Sequence, residues 1–198
     1  MSCTLTELYP ADWMARVVKR NRRAYLAVAA VIRERFNPSS VFDVGCGPCA
    51  IVNYLKRDGV SEVVGIDGSM ASKEFARDDV EWHYWDARDD AWKPGRKFDV
   101  VVCTEFAEHV PQSCEQHLIN TLAAVTGMWL LFAACPPTPQ KRTRRKKRQH
   151  VNEQPKAYWI DRIPLRLDSE ETVVVKHRLV ELGCNKQHYI DNLLIFRQ

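Results

Sequence analysis

Up to residue 36 the apolar positions of this chain recur at helical spacing, and from residue 41 they gather into short runs separated by polar stretches. Trp13, Val17 and Val18, then Tyr25, Val28, Ala29 and Ile32, alternate with arginines, which predicts an N-terminal helical segment over 1–36 that Pro10 can open. Asn37-Pro38-Ser39-Ser40 ends it. Residues 41–44, 63–66, 80–84, 98–103 and 128–134 then form five strand-like runs, with helical stretches between most of them. That alternation predicts an α/β fold, a doubly wound and mostly parallel sheet of six or seven strands. Pro136-Pro137-Thr138-Pro139 stops the fifth run, Pro155 precedes a short helix through Tyr158 and Trp159, and Asp168-Ser169-Glu170-Glu171 opens a helix that Gly183 closes. Residues 189–196 complete the pattern as a last strand.

Length and composition bound this picture. The chain has 198 residues, 45% hydrophobic and 27% charged, which suits one domain over 1–198 with a core of its own. Its longest apolar stretches, 24–32 and 127–135, fall well short of the roughly 20 residues a membrane span needs. The first residues show no basic head followed by an apolar block, and seven cysteines are an odd number, so free thiols in an intracellular, cytoplasmic setting are expected. The net charge of +4 is uneven, because Lys141, Arg142, Arg144, Arg145, Lys146, Lys147 and Arg148 cluster in the loop 136–155. Such a run suits phosphate contacts to RNA or another polyanion, a nuclear-localisation signal, or a solvated loop. For RNA, Tyr158, Trp159 and Trp85 would offer stacking faces to a base. No feature specifies an oligomeric state.

The first strand runs into Asp43-Val44-Gly45-Cys46-Gly47-Pro48-Cys49 and then a helix from about Ala50 to Arg57. Glycines in such a turn let the backbone approach a ligand and leave helix N-terminal amides facing it. The second strand ends in Asp67, where nucleotide-binding sheets place an acid against ribose hydroxyls. The third ends in Trp85-Asp86-Ala87, where a carboxylate can accept from an adenine amine. A nicotinamide-binding sheet places its ribose acid similarly, but the turn here offers Ala50 where a final glycine is preferred. Cys46-Gly47-Pro48-Cys49 also matches the redox motif of thioredoxins, though Gly45 precedes it where those proteins have tryptophan; reversible oxidation would obstruct the loop.

Taken in order, the Asp-x-Gly-x-Gly turn, Asp67, Asp86-Ala87 and Lys97-Phe98-Asp99-Val100-Val101 resemble the class I S-adenosylmethionine-dependent methyltransferases over about 40–134. Cys49 stands where many members have a third glycine. The resemblance implies S-adenosylmethionine across the strand tips, with Asp43, Gly45 and Gly47 about its amino-acid part, Asp67 on its ribose, Asp86 and Ala87 at its adenine, and Thr104 at the tip of the fourth strand.

Glu105, Glu108 and His109 follow that tip at i, i+3 and i+4, so one helical turn would put them on a common face. Glu-x-x-Glu-His here resembles the ubiquinone-pathway O-methyltransferases and the small-RNA 3′-terminal 2′-O-methyltransferases; the latter add a histidine after strand five, and His150 stands there. The resemblance implies a Mg²⁺ or Mn²⁺ site of Glu105, Glu108, His109 and His150, with His109 or His150 as general base. The expected reaction is methylation of an RNA ribose 2′-hydroxyl; a small-molecule hydroxyl acceptor is the alternative, and a catalytically inactive interaction module is the alternative from another class. His150-Val151-Asn152-Glu153-Gln154-Pro155 and the C-terminal Asn192-Leu193-Leu194-Ile195-Phe196 loosely resemble compact methyltransferases of bacteria and phages.

Overall fold

The computed structural model describes residues 4–93, 95–137 and 149–198. Thr4 caps a first short helix, α1 (Leu5–Leu8), by a reciprocal hydrogen-bond pair with Glu7, and α2 (Ala11–Phe36) follows Pro10 and ends at Asn37 in left-handed geometry. Then come β1 (Ser40–Val44), α3 (Ala50–Arg57), β2 (Glu62–Asp67), β3 (Glu81–Tyr84), β4 (Phe98–Thr104), α4 (Glu115–Val125) and β5 (Thr126–Ala133). The chain closes with α5 (Lys156–Arg162), β6 (Arg166–Leu167), α6 (Ser169–Glu181), α7 (Gln187–Asn192) and β7 (Leu194–Arg197).

Among the described residues seven strands form one sheet in the order β3-β2-β1-β4-β5-β7-β6, with β7 antiparallel to both β5 and β6 and the other pairings parallel. Side chains alternate between its two faces, as the pleat requires. Val41, Val100, Val102, Leu131, Ala133 and Ile195 pack with α2, α3, α6 and Tyr189 of α7. Their neighbours Phe42, Val101, Cys103, Leu130, Phe132 and Phe196 pack with α4 and α5 on the other side. The sheet is wound on both faces, as the hydrophobic pattern predicted. Strand order reverses between β1 and β4, so the loops leaving their carboxyl ends part and open a cleft there.

Two elements differ from the sequence-based expectation. The last strand is shorter than 189–196: Gln187 and Asp191 bond at helical spacing, Nε2 to Oδ1 at 2.8 Å, and Tyr189 turns inward against Tyr25 from α7. Only 194–197 pair with β5 and β6. The two-residue β6 was not foreseen, being too short for an alternating pattern. No helix among the described residues is long and apolar enough to cross a membrane.

Candidate active site

Beyond β1 the chain turns through Gly45 (φ 73°), Gly47 (φ 50°) and Cys49 (φ 53°). The amides of Gly45 and Cys46 both donate to the Ile66 carbonyl, at 2.9 and 3.0 Å, which ties the turn to β2. A Cβ at Gly45 would overlap the Phe106 ring, whereas one at Gly47 would meet nothing within 4 Å, so Gly47 presents bare backbone to open space. Asp67 braces this turn from the tip of β2: its carboxylate accepts from the amides of Gly47 and Ser69, each at 2.8 Å. Burial nevertheless holds Asp67 above the usual carboxylate range, against those two bonds and the pull of His109. Asp43 lies deeper, and burial, with the Asp67 charge as second cause, pushes it up to about 8.

The tip of β3 is already engaged within the chain. Arg88 donates from its amide and its guanidinium to both carboxylate oxygens of Asp86. Burial alone would raise Asp86, but the bonds and charge of Arg88 together lower it. The Ala87 carbonyl is 3.0 Å from His117 Nδ1, which must be the donor because a carbonyl only accepts. Thr104 ends β4 half-buried, paired with Ala133.

After β4, Glu105 takes up left-handed geometry (φ 57°) and only Ala107–His109 form a single 3₁₀ turn. The common helical face expected for Glu105, Glu108 and His109 is therefore absent, because the backbone reverses at Glu105 instead of starting a helix. The residues still share the cleft, with the Glu105 carboxylate 3.8 Å from His188 Nε2. His109 Nδ1 stands 2.8 Å from the Gln149 carbonyl and 3.0 Å from the Tyr9 hydroxyl. The carbonyl cannot donate, so the ring proton sits on Nδ1 and Nε2 presents its lone pair, 3.9 Å from Glu108 Oε1. Burial lowers the His109 pKa, against the Gln149 carbonyl and the Asp67 charge. The ring of His150 crosses that of His109 edge-on, with centroids 4.7 Å apart, and its Nδ1 is 2.7 Å from Glu153 Oε1.

Ligand atoms of Glu108, His109 and His150 all lie within 4.8 Å of one another, which brings three of the four foreseen metal ligands together. The segment carrying His150 is anchored at both sides. Its Val151 and Asn152 amides donate to the Glu108 carbonyl, and Asn152 Nδ2 donates to the buried Glu115 carboxylate, which also takes Tyr158 and Arg162.

Two cavities of about 560 and 100 Å³ share Trp13, Gly45, Gly47, Glu105 and His109 and so make one cleft. The smaller reaches Asp67, Asp86 and Ala87; the larger holds Asp43, Thr104, Glu108 and His150 and is walled by Val17, Tyr25 and Tyr189. Sequence inspection missed Tyr9, Gln149 and Glu153, although the i, i+3 spacing of His150 and Glu153 was a signal for the last.

The aromatic residues foreseen as stacking faces are engaged within the chain, two of them in the core. Trp159 is 1% exposed and packs on Phe132, Tyr158 lies under Arg162 in the Glu115 network, and Trp85 donates its Nε1–H to the Asp90 carbonyl. The thiols of Cys46 and Cys49 sit 3.6 Å apart, and burial first, then Cys49, pushes Cys46 well above the ordinary thiol range, opposite to what a redox catalyst needs. The basic run 141–148 lies outside the described residues.

A family model described as a methyltransferase domain matches residues 13–162. The ubiquinone biosynthesis O-methyltransferase of Neisseria meningitidis serogroup C is 38% identical over 36% of this chain and 33% of its own length. That of Hydrogenovibrio crunogenus is 30% identical over 48% of this chain and 42% of its own. The matched part thus spans between a third and a half of these curated relatives. Among solved structures, the methyltransferase bound to the Haloferax volcanii Trm112 methyltransferase activator superposes with a TM-score of 0.64 at 15% identity, covering 94% of this chain and 96% of that one. The plantazolicin methyltransferase BpumL, solved with SAH and a substrate analogue, gives 0.62 at 12% identity over 93% and 88%. At these identities the likeness is one of fold.

Proposed function

This chain belongs to the methyltransferase domain family of class I S-adenosylmethionine-dependent enzymes, and on that footing we propose that it methylates a hydroxyl group of a small molecule. The observation that carries this reading is the larger cavity, where the glycine turn and the His109–His150 pair face Trp13, Tyr25 and Tyr189. Its 560 Å³, shared between the cofactor's amino-acid end and the acceptor, is within the roughly 300–1,000 Å³ typical of small-ligand sites. The curated relatives, named for a small-molecule pathway, support the same class of acceptor. The RNA alternative finds Trp85 and Trp159 buried in the core and the Tyr158 ring covered by Arg162.

The strand tips fit the cofactor through bare backbone at Gly47, a carboxylate at Asp67 that opens on the smaller cavity, and the deep acid Asp43 in the larger one. When bound, S-adenosylmethionine supplies an electrophilic methyl group. Gly45, Gly47 and Asp43 would hold its amino-acid part, Asp67 its ribose, Thr104 would border its methyl end, and Asp86 and Ala87 its adenine, with Asp86 sharing its oxygens with Arg88.

His150 is the base this geometry favours. It lines the larger cavity with its Nδ1 2.7 Å from Glu153 Oε1, and the Glu153 charge would stabilise the imidazolium formed when the ring takes the proton of the acceptor hydroxyl. His109, fixed by the Gln149 carbonyl, sets a second imidazole edge-on beside it. Glu108, His109 and His150 also form an oxygen–nitrogen donor set of the kind that takes Mg²⁺ or Mn²⁺; there the ion would lower the pKa of a bound hydroxyl, and His150, as its ligand, would not serve as the base.

A radiolabelled methyl-transfer screen over small-molecule extracts and RNA, with and without Mg²⁺ or Mn²⁺, tests the reading. Label in the small-molecule fraction at an alkali-stable ether supports it. Label in RNA alone overturns the acceptor class, and cofactor binding without transfer to any fraction makes the chain an interaction module.

A further inference from the structure

We propose that Cys135, His150 and Glu153 form a second cation site, selective for a thiophilic divalent ion such as Zn²⁺, and that filling it withdraws His150 from methyl transfer. One ligand atom from each of the three lies within 4.8 Å of the other two. They come from two places in the chain: Cys135 leaves the end of β5, while His150 and Glu153 sit three residues apart on the segment that returns to the cleft. The His150 and Glu153 side chains are only 13% and 10% exposed, and the 2.7 Å bond between them has already oriented the pair and desolvated it.

The donor types decide which ion fits. Sulfur, nitrogen and oxygen together suit Zn²⁺ or Co²⁺ in tetrahedral coordination with one open position, and a thiolate disfavours Mg²⁺. The neighbouring set of Glu108, His109 and His150 contains no sulfur. His150 belongs to both sets, so it cannot serve a cation on the Cys135 side and face the acceptor at the same time. Binding deprotonates the Cys135 thiol, whose proton leaves to solvent, while His150 keeps its one ring proton on the nitrogen turned away from the cation and so has no lone pair left for the acceptor; affinity therefore rises with pH.

The inhibitory half of this inference rests on the proposed role of His150; the site itself does not. The full chain, kept reduced with a phosphine, is titrated with Co²⁺ and Zn²⁺ beside the Cys135→Ser variant. A near-ultraviolet thiolate-to-cobalt band is expected in the parent, displaced by Zn²⁺ and missing from the variant. Since even outer-shell partners are worth about 10–100-fold in metal affinity, loss of this ligand is expected to weaken Zn²⁺ by about 100-fold. Zn²⁺ added over Mg²⁺ should inhibit the parent, while Cys135→Ser keeps the parent's zinc-free rate and resists inhibition. If the variant folds poorly, alkylation of Cys135 in the parent, followed by mass spectrometry, must slow when Zn²⁺ is present. An unchanged cobalt spectrum in Cys135→Ser, or alkylation indifferent to Zn²⁺, moves thiophilic binding to another thiol such as the Cys46–Cys49 pair and overturns the site. A cobalt band with no inhibition leaves the site standing and removes its link to catalysis.

Discussion

The carboxylates at the strand tips and the imidazoles opposite them line one cleft but reach it by different routes. Asp43 and Asp67 end adjacent parallel strands, and the glycine turn between them is stitched to β2 by main-chain bonds. Their positions follow from the sheet ladder. His109 and His150 are instead held by pairs such as Tyr9 with His109, 100 residues apart, Gln149 with Leu8, 141 apart, and Asn152 with Glu115, 37 apart. Each such bond is worth about 0.5–1.5 kcal/mol net, or somewhat more to a charged partner. The proposed donor side is thus as stable as the fold, whereas the proposed acceptor side can be misaligned without unfolding anything.

That contrast predicts separable defects. The largest is expected for His150→Ala, which removes the proposed base: kcat should fall about 10²–10⁴-fold while calorimetry finds affinity for the demethylated cofactor nearly unchanged. Equal loss of both would merge the two halves. Glu153→Gln, which keeps the shape and removes the charge, should give a smaller kcat loss with the same intact affinity.

Asp43 gives the next effect, on the other half. Its folded pKa of about 8 stands above the ordinary value of 3.8, so the folded chain holds this proton more tightly than the unfolded chain does. Its contribution to stability is complete below about pH 4 and is lost as pH rises towards 8, by about 1.4 kcal/mol per pH unit. Urea titrations across that window should show the slope in the parent and flatten it in Asp43→Asn; parallel slopes would place the effect elsewhere. An amino group bound beside Asp43 needs the carboxylate, so cofactor affinity should climb with pH and level off near 8.

Gly45→Ala should cost cofactor affinity about tenfold or more, because left-handed backbone disfavours a side chain by about 1–2 kcal/mol and the new methyl meets the Phe106 ring. Calorimetry checks this, with the acceptor KM expected to move little. The smallest effect is expected for Tyr9→Phe. Losing one hydroxyl at His109 should lower kcat about two- to tenfold and leave cofactor affinity alone.

Much of the donor half was legible because its chemistry is local. Gly45, Gly47 and the acids at strand ends are set by consecutive residues, and the period-two alternation around Phe42 or Val101 announces a strand in isolation. The helix opened by Asp168 was equally visible, and its side chain does accept from the Glu171 amide. The acceptor half was legible as residue types only. His109 and His150 were recognised, but the spacing of Glu105, Glu108 and His109 predicted a shared helical face, and the left-handed turn at Glu105 replaced it.

By itself, then, the order of residues determined the wound sheet, the glycine turn and the family, since each depends on periodicity or on neighbours within a few positions. Only the tertiary structure decided that Glu153 backs His150, that Tyr9 and Gln149 hold His109, that Arg88 occupies Asp86, and that Trp159 is core rather than a platform for a base. Those outcomes depend on which surfaces exclude water from one another, and that is set when distant segments pack, not when a segment chooses helix or strand.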